Sequence, residues 1–499
     1  MKKIIAALCL LGLFPGTAFP ATLPQAVMAE LKHERIPLSS VSVVVQEVNA
    51  DEPLISLNAD QAMNPASTMK LLTTIAALDK LGPAYRWKTE AYLNGKLADG
   101  VLQGDLVFKG YGDPKLTVEQ FWMWLRELRQ RGLRDIRGDL VLDHSFFDEV
   151  HEDPAGFDND PTRAYNVVPG ALLLNFNVQH LHLIPNGRAT IALLEPELAG
   201  YTVHNNITTS ARSGCNGGHS YKARLEGHDI VLEGSIPADC GETNSYFSLL
   251  PQDEYFFAVF SGLWRELGGT LQGKLREGTA AISQTPFSTY VSPPLSEVIR
   301  DINKFSNNIM ARQLFLTLGT TEAESDEAYA TQSAEGQLGG DIADEVTSPP
   351  LQAPVGMPVQ ANVGQSISAM RQWLDTQELH FPELVLENGA GLSRNERISA
   401  VHIAELLQRV SRSPFFAELE ASLPILGMDG TVRKRFADSD IAGYAHLKTG
   451  SLDGVKSLAG YVKANSGKQW IVVFIVNNRH AARAEPAQDA LIEWLQTNL

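Results

Sequence analysis

A serine and a lysine three residues apart at the start of an amphipathic helix constrain this chain most. The segment from Pro65 to Lys70 reads Pro-Ala-Ser-Thr-Met-Lys, and apolar residues then recur at helical spacing until Gly82. Residues i and i+3 share one face of a helix, so the hydroxyl of Ser67 and the amine of Lys70 can meet. The alternative is an N-cap serine followed by a solvated lysine, and this motif alone does not decide between them.

Two motifs far downstream supply groups that a reactive serine needs. Ser306-Asn307-Asn308 falls in a predicted helix over residues 295–318, and Lys448-Thr449-Gly450 falls in a predicted strand. A serine hydroxyl is a poor nucleophile without a base in reach, and lysine can be that base only when it is neutral. Burial beside a second cation lowers the pKa of a lysine, and Lys448 is the candidate for that cation beside Lys70.

The second motif and two backbone groups complete the predicted reaction centre. Ser306 is expected to relay a proton between Lys70 and a leaving amine, while Asn308 contacts Lys70 or the substrate amide. Backbone N–H groups of Ser67 and Ser451 are expected to stabilise the tetrahedral oxyanion.

The third motif is expected to bind the end of the substrate. Lys448 and Thr449 would hold a terminal carboxylate, and Gly450 lets a substrate backbone approach the strand. The sequence contains neither Gly-x-Ser-x-Gly nor His-Glu-x-x-His, so a Ser-His-Asp hydrolase and a zinc protease lack support. No cofactor and no metal are expected.

The first residues are typical of a secretory leader, which predicts a periplasmic protein. Lys2 and Lys3 precede an apolar run that is too short for a stable membrane anchor, and cleavage fits after Ala18 or Ala21. The formal net charge of −17 makes nucleic acid an unsuitable partner. We expect at most peripheral membrane contact, and the sequence leaves the oligomeric state open.

Beyond the leader, Cys215 and Cys240 form an even pair in a compartment that favours disulfides. A bridge between them would stabilise the fold by roughly 3 kcal/mol in the chain-entropy model. The alternative is a pair of free buried thiols.

The long separation of Ser67 from Ser306 predicts a main domain that is interrupted by insertions. The chain is also longer than one hydrophobic core usually supports. We therefore expect an α/β and α+β multidomain protein. Its predicted parts are a leader (1–21), a discontinuous main domain (22–88 and 285–499), an inserted αβ domain (89–176 and 251–284) and a small β domain nested within it (177–250).

On these motifs the sequence resembles the active-site-serine D,D-peptidases, and more narrowly the D-alanyl-D-alanine carboxypeptidase/endopeptidase family of low-molecular-mass penicillin-binding proteins. Further matching segments carry the resemblance across most of the chain: Gly104-Asp105-Leu106, Asp113-Pro114, Asn388-Gly389-Ala390-Gly391-Leu392-Ser393-Arg394, Asp429-Gly430-Thr431 and Leu447-Lys448-Thr449-Gly450-Ser451-Leu452. The resemblance implies a penicillin-recognising, β-lactamase/transpeptidase-like α/β main domain.

The resemblance also implies partners and further site residues. It predicts that Ser67 is acylated during cleavage of peptidoglycan peptides and that β-lactam antibiotics are covalent inhibitors. Asp160, Tyr165 and Arg394 are expected to line a pocket for the side chain of a peptidoglycan diaminoacid. Asn307 stands where the family more often has Asp, and we expect little effect of this difference.

Two other functions are compatible with parts of the pattern. A β-lactamase would need a water-activating base, and no glutamate motif for one follows Ser306. A non-catalytic cell-wall peptide-binding or scaffold protein would not need Lys70, Ser306 and Lys448 together. The sequence does not decide between carboxypeptidase and endopeptidase preference.

Overall fold

The computed structural model describes residues 22–211, 214–215, 220–281, 284–320 and 361–499. The predicted leader and residues 321–360 lie outside these ranges. In the described part, no helix has the length and the apolar character needed to cross a membrane.

Helices and strands follow the hydrophobic patterns of the sequence in most places. The helices are α1 (Gln25–His33), α2 (Lys70–Leu81), α3 (Val118–Gln130), α4 (Gln252–Glu266), α5 (Leu295–Phe305), α6 (Asn308–Gly319), α7 (Val363–Thr376), α8 (Ala400–Ser411), α9 (Phe416–Ser422) and α10 (Glu485–Asn498). The strands are β1 (Val41–Glu47), β2 (Ile55–Leu57), β3 (Lys88–Ala98), β4 (Val101–Gly110), β5 (Asp135–Ile136), β6 (Leu140–Asp143), β7 (Gln179–Asn186), β8 (Ala189–Glu195), β9 (Thr202–Ser210), β10 (Ser220–Glu226), β11 (Asp229–Pro237), β12 (Thr243–Phe247), β13 (Thr270–Leu271), β14 (Leu275–Glu277), β15 (Ser288–Val291), β16 (Ala445–Leu452), β17 (Val455–Lys463) and β18 (Gln469–Asn477).

The main body is a five-stranded antiparallel sheet with helices on both faces. Its strand order is β16-β17-β18-β1-β2, so strands from the two ends of the chain share one sheet. Alternate residues point to opposite faces: Val44 packs toward α2 and α5–α8, whereas Val43 and Val45 pack toward α1 and α10. Strand β16, which carries Lys448, is an edge of this sheet and packs against the turn that precedes α2.

Two further sheets lie in the part of the chain between α2 and α5. A seven-stranded sheet has the order β13-β5-β4-β3-β15, with β6 paired to β4 and β14. A six-stranded sheet follows the order β10-β11-β9-β8-β7-β12, and a disulfide joins Cys215 to Cys240 beside it. Strand β15 pairs with β3, so the seven-stranded sheet includes residues 288–291. The predicted domain limits stay a prediction.

The predicted single helix over residues 295–318 is wrong, because the chain breaks at the second motif. Helix α5 ends at Phe305, Ser306 adopts a left-handed conformation with φ of 58°, and α6 begins at Asn308. Asn307 caps α6, since its side chain accepts a hydrogen bond of 3.1 Å from the N–H of Met310. The hydrophobic period continues across the break, which is why the sequence pattern did not show it.

Candidate active site

A short 3-10 turn before α2 presents Ser67. The turn spans Ala66–Met69, and Ala66 has a positive φ of 47°. Its start is fixed from two sides: Ser457 Oγ on β17 donates to the carbonyl of Pro65 over 2.6 Å, and Asn64 Oδ1 accepts from the N–H of Ala66 over 2.9 Å. The side chain of Ser67 is thus held between the sheet and the start of α2.

Lys70 Nζ lies at the centre of three hydrogen-bonding groups. It lies 3.0 Å from Ser67 Oγ and 2.5 Å from Asn308 Oδ1, and it also contacts the carbonyl oxygen of Ala390. A neutral amine has two N–H groups and one lone pair. Asn308 and Ala390 can take the two hydrogens, which leaves the lone pair for the hydroxyl proton of Ser67.

The surroundings of Lys70 favour this neutral form. The side chain has no solvent exposure, and burial is the largest cause of a pKa well below the usual value. The charge of Lys448 lowers the pKa of Lys70 further, while that of Glu396 raises it. Lys448, the predicted second cation, therefore helps to lower the pKa of Lys70, but burial lowers it more.

Lys448 and Ser306 are joined on the opposite side of the site. Lys448 Nζ donates to Ser306 Oγ and to the carbonyl of Thr449, each over 2.9 Å. Lys448 is also fully buried, and burial lowers its pKa to about 7. The left-handed turn at Ser306 places its hydroxyl in the same cavity as Ser67 and Asn308.

Two glycines allow other segments to lie close to the backbone of the turn that carries Ser67. A Cβ on Gly450 would lie 2.8 Å from the backbone N of Ser67, so only a glycine lets β16 lie this close. A Cβ on Gly391 would lie 1.9 Å from the carbonyl oxygen of Ala66, and Gly391 has a φ of 77°. The matching segment from Asn388 to Arg394 therefore supports the turn directly.

Ser67 lines an open cavity of about 350 Å³. The hydroxyls of Thr449 and Thr431 form a hydrogen bond of 2.7 Å in this cavity. Thr431 belongs to the Asp429-Gly430-Thr431 segment, which is anchored because Asp429 Oδ2 accepts from Lys304 Nζ over 2.6 Å. The cavity is lined by Ser67, Ser306, Asn308, Thr431, Arg435, Thr449, Ser451, Lys456 and Glu485.

The three residues predicted for the diaminoacid pocket lie on two segments. Asp160 and Tyr165 are on the long loop before the small β sheet, where Asp160 bonds to Thr162 and Tyr165 bonds to Asp158. Arg394 stacks over the ring of Phe157 on the same loop, with 4.6 Å between the guanidinium carbon and the ring centroid.

Within this group Asp158 is the residue that sequence reasoning missed. Its side chain accepts from Tyr165, and also from Asn166 Nδ2 over 2.8 Å. Asp158 therefore holds together the loop that carries Asp160, the residue that the resemblance assigned to the pocket.

Sequence reasoning also missed a buried carboxylate next to Lys70. Glu396 has no solvent exposure, and its Oε1 accepts from the backbone N–H groups of Glu387, Asn388 and Gly389. Burial raises the pKa of Glu396, although these donors and Lys70 oppose the rise. Only its place five residues after Gly391 could have drawn attention to it.

The fold and this grouping of side chains define the class of penicillin-recognising, transpeptidase-like serine hydrolases. The model of the D-Ala-D-Ala carboxypeptidase 3 (S13) family matches residues 23–344 and 355–498. The chain therefore belongs to this family of serine-type D-Ala-D-Ala carboxypeptidases.

The chain is similar over most of its length to known relatives in sequence and to a solved structure in fold. It is 24% identical over 446 residues to D-alanyl-D-alanine carboxypeptidase DacB of Haemophilus influenzae, covering 88% of this chain and 85% of the relative. It is 26% identical over 465 residues to D-alanyl-D-alanine carboxypeptidase of Actinomadura sp. strain R39, covering 90% and 80%. The fold matches that of penicillin binding protein 4 from H. influenzae with a TM-score of 0.71 at 23% identity, covering 94% and 99% of the two chains.

Proposed function

We propose that this protein is a periplasmic D,D-carboxypeptidase and D,D-endopeptidase that cuts peptidoglycan stem peptides and cross-links through an acyl-enzyme on Ser67. The observation that carries the proposal is the position of Lys70, a fully buried amine whose Nζ lies 3.0 Å from Ser67 Oγ. The family membership supports the substrate class.

In the acylation step Lys70 removes the proton of Ser67 as Oγ attacks the carbonyl carbon of the penultimate D-residue. Asn308 and Ala390 hold the other two hydrogens of Lys70, so the lone pair stays aligned with the hydroxyl. The backbone N–H groups of Ser67 and Ser451 stabilise the oxyanion, a contribution of about 10²- to 10³-fold per donor in known enzymes.

In the second half of this step the C–N bond breaks and the leaving nitrogen takes a proton. Ser306 lines the cavity and is bonded to Lys448, so it is placed to pass the proton from Lys70 to the leaving amine. Thr449 holds the carboxylate of the leaving residue beside Lys448. Water then attacks the carbonyl carbon of the Ser67 ester while Lys70 takes one proton of the water. Lys70 gives this proton to Oγ as the C–O bond breaks, and the released peptide acid loses its remaining proton to solvent.

The proposal extends to inhibitors and to the side-chain pocket. β-Lactams acylate Ser67 because their strained amide and their carboxylate are arranged like the scissile peptide bond and the terminal carboxylate of the substrate. Asp160, Tyr165 and Arg394 bind the polar end of the diaminoacid side chain, supported by Asp158 and by the stacking of Arg394 on Phe157.

The test is covalent labelling together with mass analysis of products. Purified protein is expected to bind a fluorescent penicillin one to one and to release D-alanine from pentapeptide muropeptides. Ser67→Ala is expected to lose both activities, whereas Ser466→Ala, at an exposed turn, keeps both. Covalent labelling of the Ser67→Ala protein would refute the assignment of the nucleophile. Rapid steady turnover of the penicillin would instead indicate a β-lactamase.

A further inference from the structure

The active-site cavity carries charged side chains that no step above uses. Among the described residues, the cations that line this cavity are Arg435 and Lys456, and Glu485 is the carboxylate beside them. Lys448 is fully buried, and its amine is bonded to Ser306 and to a backbone carbonyl. In the described part of the chain, Arg435 and Lys456 are therefore the cationic side chains at the wall of the cavity.

Lys456 belongs to the strand next to the Lys-Thr-Gly motif. It lies directly opposite Ser451 in the β16–β17 register, and opposite residues of an antiparallel pair share a face of the sheet. Its Nζ pairs with Glu485 Oε2 over 2.9 Å. The Lys456 side chain is mostly buried, whereas that of Glu485 is 45% exposed, so Glu485 can exchange this partner for water.

Arg435 supplies a fixed charge at the same place. Its side chain is buried, and its Nε donates to Asp489 Oδ1 over 2.7 Å, while Nη1 has no hydrogen-bond partner among the described residues. Its charge also contributes to the lowered pKa of Glu485, where hydrogen bonding and charge from Lys456 together with Arg435 outweigh the effect of burial. Each cation has one carboxylate partner, Asp489 for Arg435 and Glu485 for Lys456, so the group has no net charge. Its free hydrogen-bonding capacity is the unpartnered Nη1 of Arg435, together with the amine of Lys456, whose partner is partly exposed.

The leaving group of a D,D-carboxypeptidase carries a carboxylate that must be recognised. We propose that Lys456, together with Thr449 and the unpartnered Nη1 of Arg435 in the same cavity, binds the carboxylate of the leaving amino acid and determines the specificity for acid-terminated leaving groups. Glu485 holds Lys456 in place and competes with the substrate for it. This proposal rests on the proposed D,D-peptidase function.

The experiment compares one D-Ala-D-Ala peptide in two forms, with a free carboxylate and with a C-terminal amide. In Lys456→Met the KM for the acid is expected to rise about tenfold, as for loss of one charge-assisted hydrogen bond. The kcat for the acid and both constants for the amide are expected to change by less than about twofold, because the amide has no charge to lose.

Two matched variants show whether charge is the cause. Lys456→Arg is expected to keep the preference for the acid. Glu485→Gln is expected to lower the KM for the acid, since Lys456 is then free of its competing carboxylate. Arg435 is left intact because its removal would leave Asp489 without its bonded partner in a mostly buried site.

The outcomes separate the two proposals. An unchanged ratio of acid to amide kcat/KM in Lys456→Met, or an equal loss for both peptides, would overturn the role of Lys456 alone. If the wild-type protein releases no D-alanine from the acid peptide, the D,D-peptidase function itself is wrong and the subsite falls with it. Unfolding temperatures of the variants are measured alongside, so that a folding defect is not mistaken for an equal loss.

Discussion

Lys448 Nζ donates a hydrogen bond of 2.9 Å to Ser306 Oγ from a position without solvent exposure. Ser306 itself faces the cavity that contains Ser67. A hydroxyl between a buried amine and the reacting serine is suited to move a proton, provided that the amine does not hold its own proton too firmly. Burial lowers the pKa of Lys448 to about 7, which meets this condition near neutral pH.

The buried amine should make stability depend on pH. The folded-state pKa of Lys448, about 7, lies below the ordinary value of 10.5, so the unfolded chain binds more protons between these values. The destabilising cost is complete below pH 7 and disappears as the pH rises toward 10.5. We expect the unfolding free energy of the wild-type protein to rise relative to that of Lys448→Met by roughly 3 to 5 kcal/mol across this range.

Denaturant unfolding at several pH values measures this difference. Lys463→Met is the control, because Lys463 is exposed on the neighbouring strand and should show no such trend. A constant difference between wild type and Lys448→Met from pH 7 to 10 would contradict the prediction.

Glu396 should set the pH at which the enzyme loses activity in acid. Its charge raises the pKa of Lys70, so Glu396→Gln should lower that pKa and move the acid limb of the kcat/KM profile to lower pH. The amide oxygen of the variant can still accept from the three backbone N–H groups. Glu387→Gln, on the same loop but bonded to Ser393 and Asn395, is the control. Movement of the limb to higher pH would show that Glu396 acts in another way.

Asn308 should be needed for acylation, whereas its neighbour Asn307 should not. Asn308→Ala removes the acceptor that orients the amine of Lys70, and we expect acylation to slow by about 10- to 10²-fold, a typical loss for a misplaced general base. Asn307→Asp keeps the helix cap, because Asp caps as well as Asn, and should acylate at the wild-type rate. Stopped-flow labelling with a fluorescent penicillin measures both rates, and equal slowing would refute the distinction.

Close packing at Gly391 should be essential for the reactive turn. Gly391→Ala places a methyl group against the carbonyl of Ala66 in a backbone with a φ of 77°, so the turn must move and labelling of Ser67 should fall by at least about 10²-fold. Gly82→Ala has a similar φ of 75° but no heavy atom within 4 Å of the new methyl group. With ψ of 155°, Gly82 occupies a backbone region that essentially only glycine adopts, so the variant should lose about 1–3 kcal/mol of stability and keep its labelling. Equal labelling of the two variants would mean that the clash is relieved elsewhere.

Arg394 should affect one class of substrate more than another. Its stacking on Phe157 places it at the loop that carries Asp160 and Tyr165. Arg394→Gln is expected to reduce kcat/KM for muropeptides with a free diaminoacid carboxylate by about tenfold, and to leave a short D-Ala-D-Ala peptide without that side chain nearly unchanged. Product analysis by mass spectrometry compares the two substrates. An equal loss of kcat/KM on both substrates would mean that Arg394 maintains the structure of the site and does not recognise the diaminoacid.

Local patterns predicted most of the elements that carry the site. The period of apolar residues gave α2 up to Gly82, and the strand predicted for Lys448-Thr449-Gly450 is β16. The pattern failed at Ser306, where the apolar spacing runs on although the chain turns. The spacing of apolar residues shows which face of a helix is buried, but it does not show whether the helix continues. A single left-handed residue between two helices with the same apolar spacing therefore cannot be seen in the pattern.

The sequence by itself determined the pair Ser67 and Lys70, because a spacing of three residues on a helix fixes their contact locally. Only the tertiary structure decided what surrounds that pair. Asn308, Ala390 and Glu396 reach Lys70 from distant parts of the chain, and Lys456 meets the cavity through strand register. Burial and charge at these places arise from packing of segments far apart in sequence, so the neutral state of Lys70 is a property of the fold.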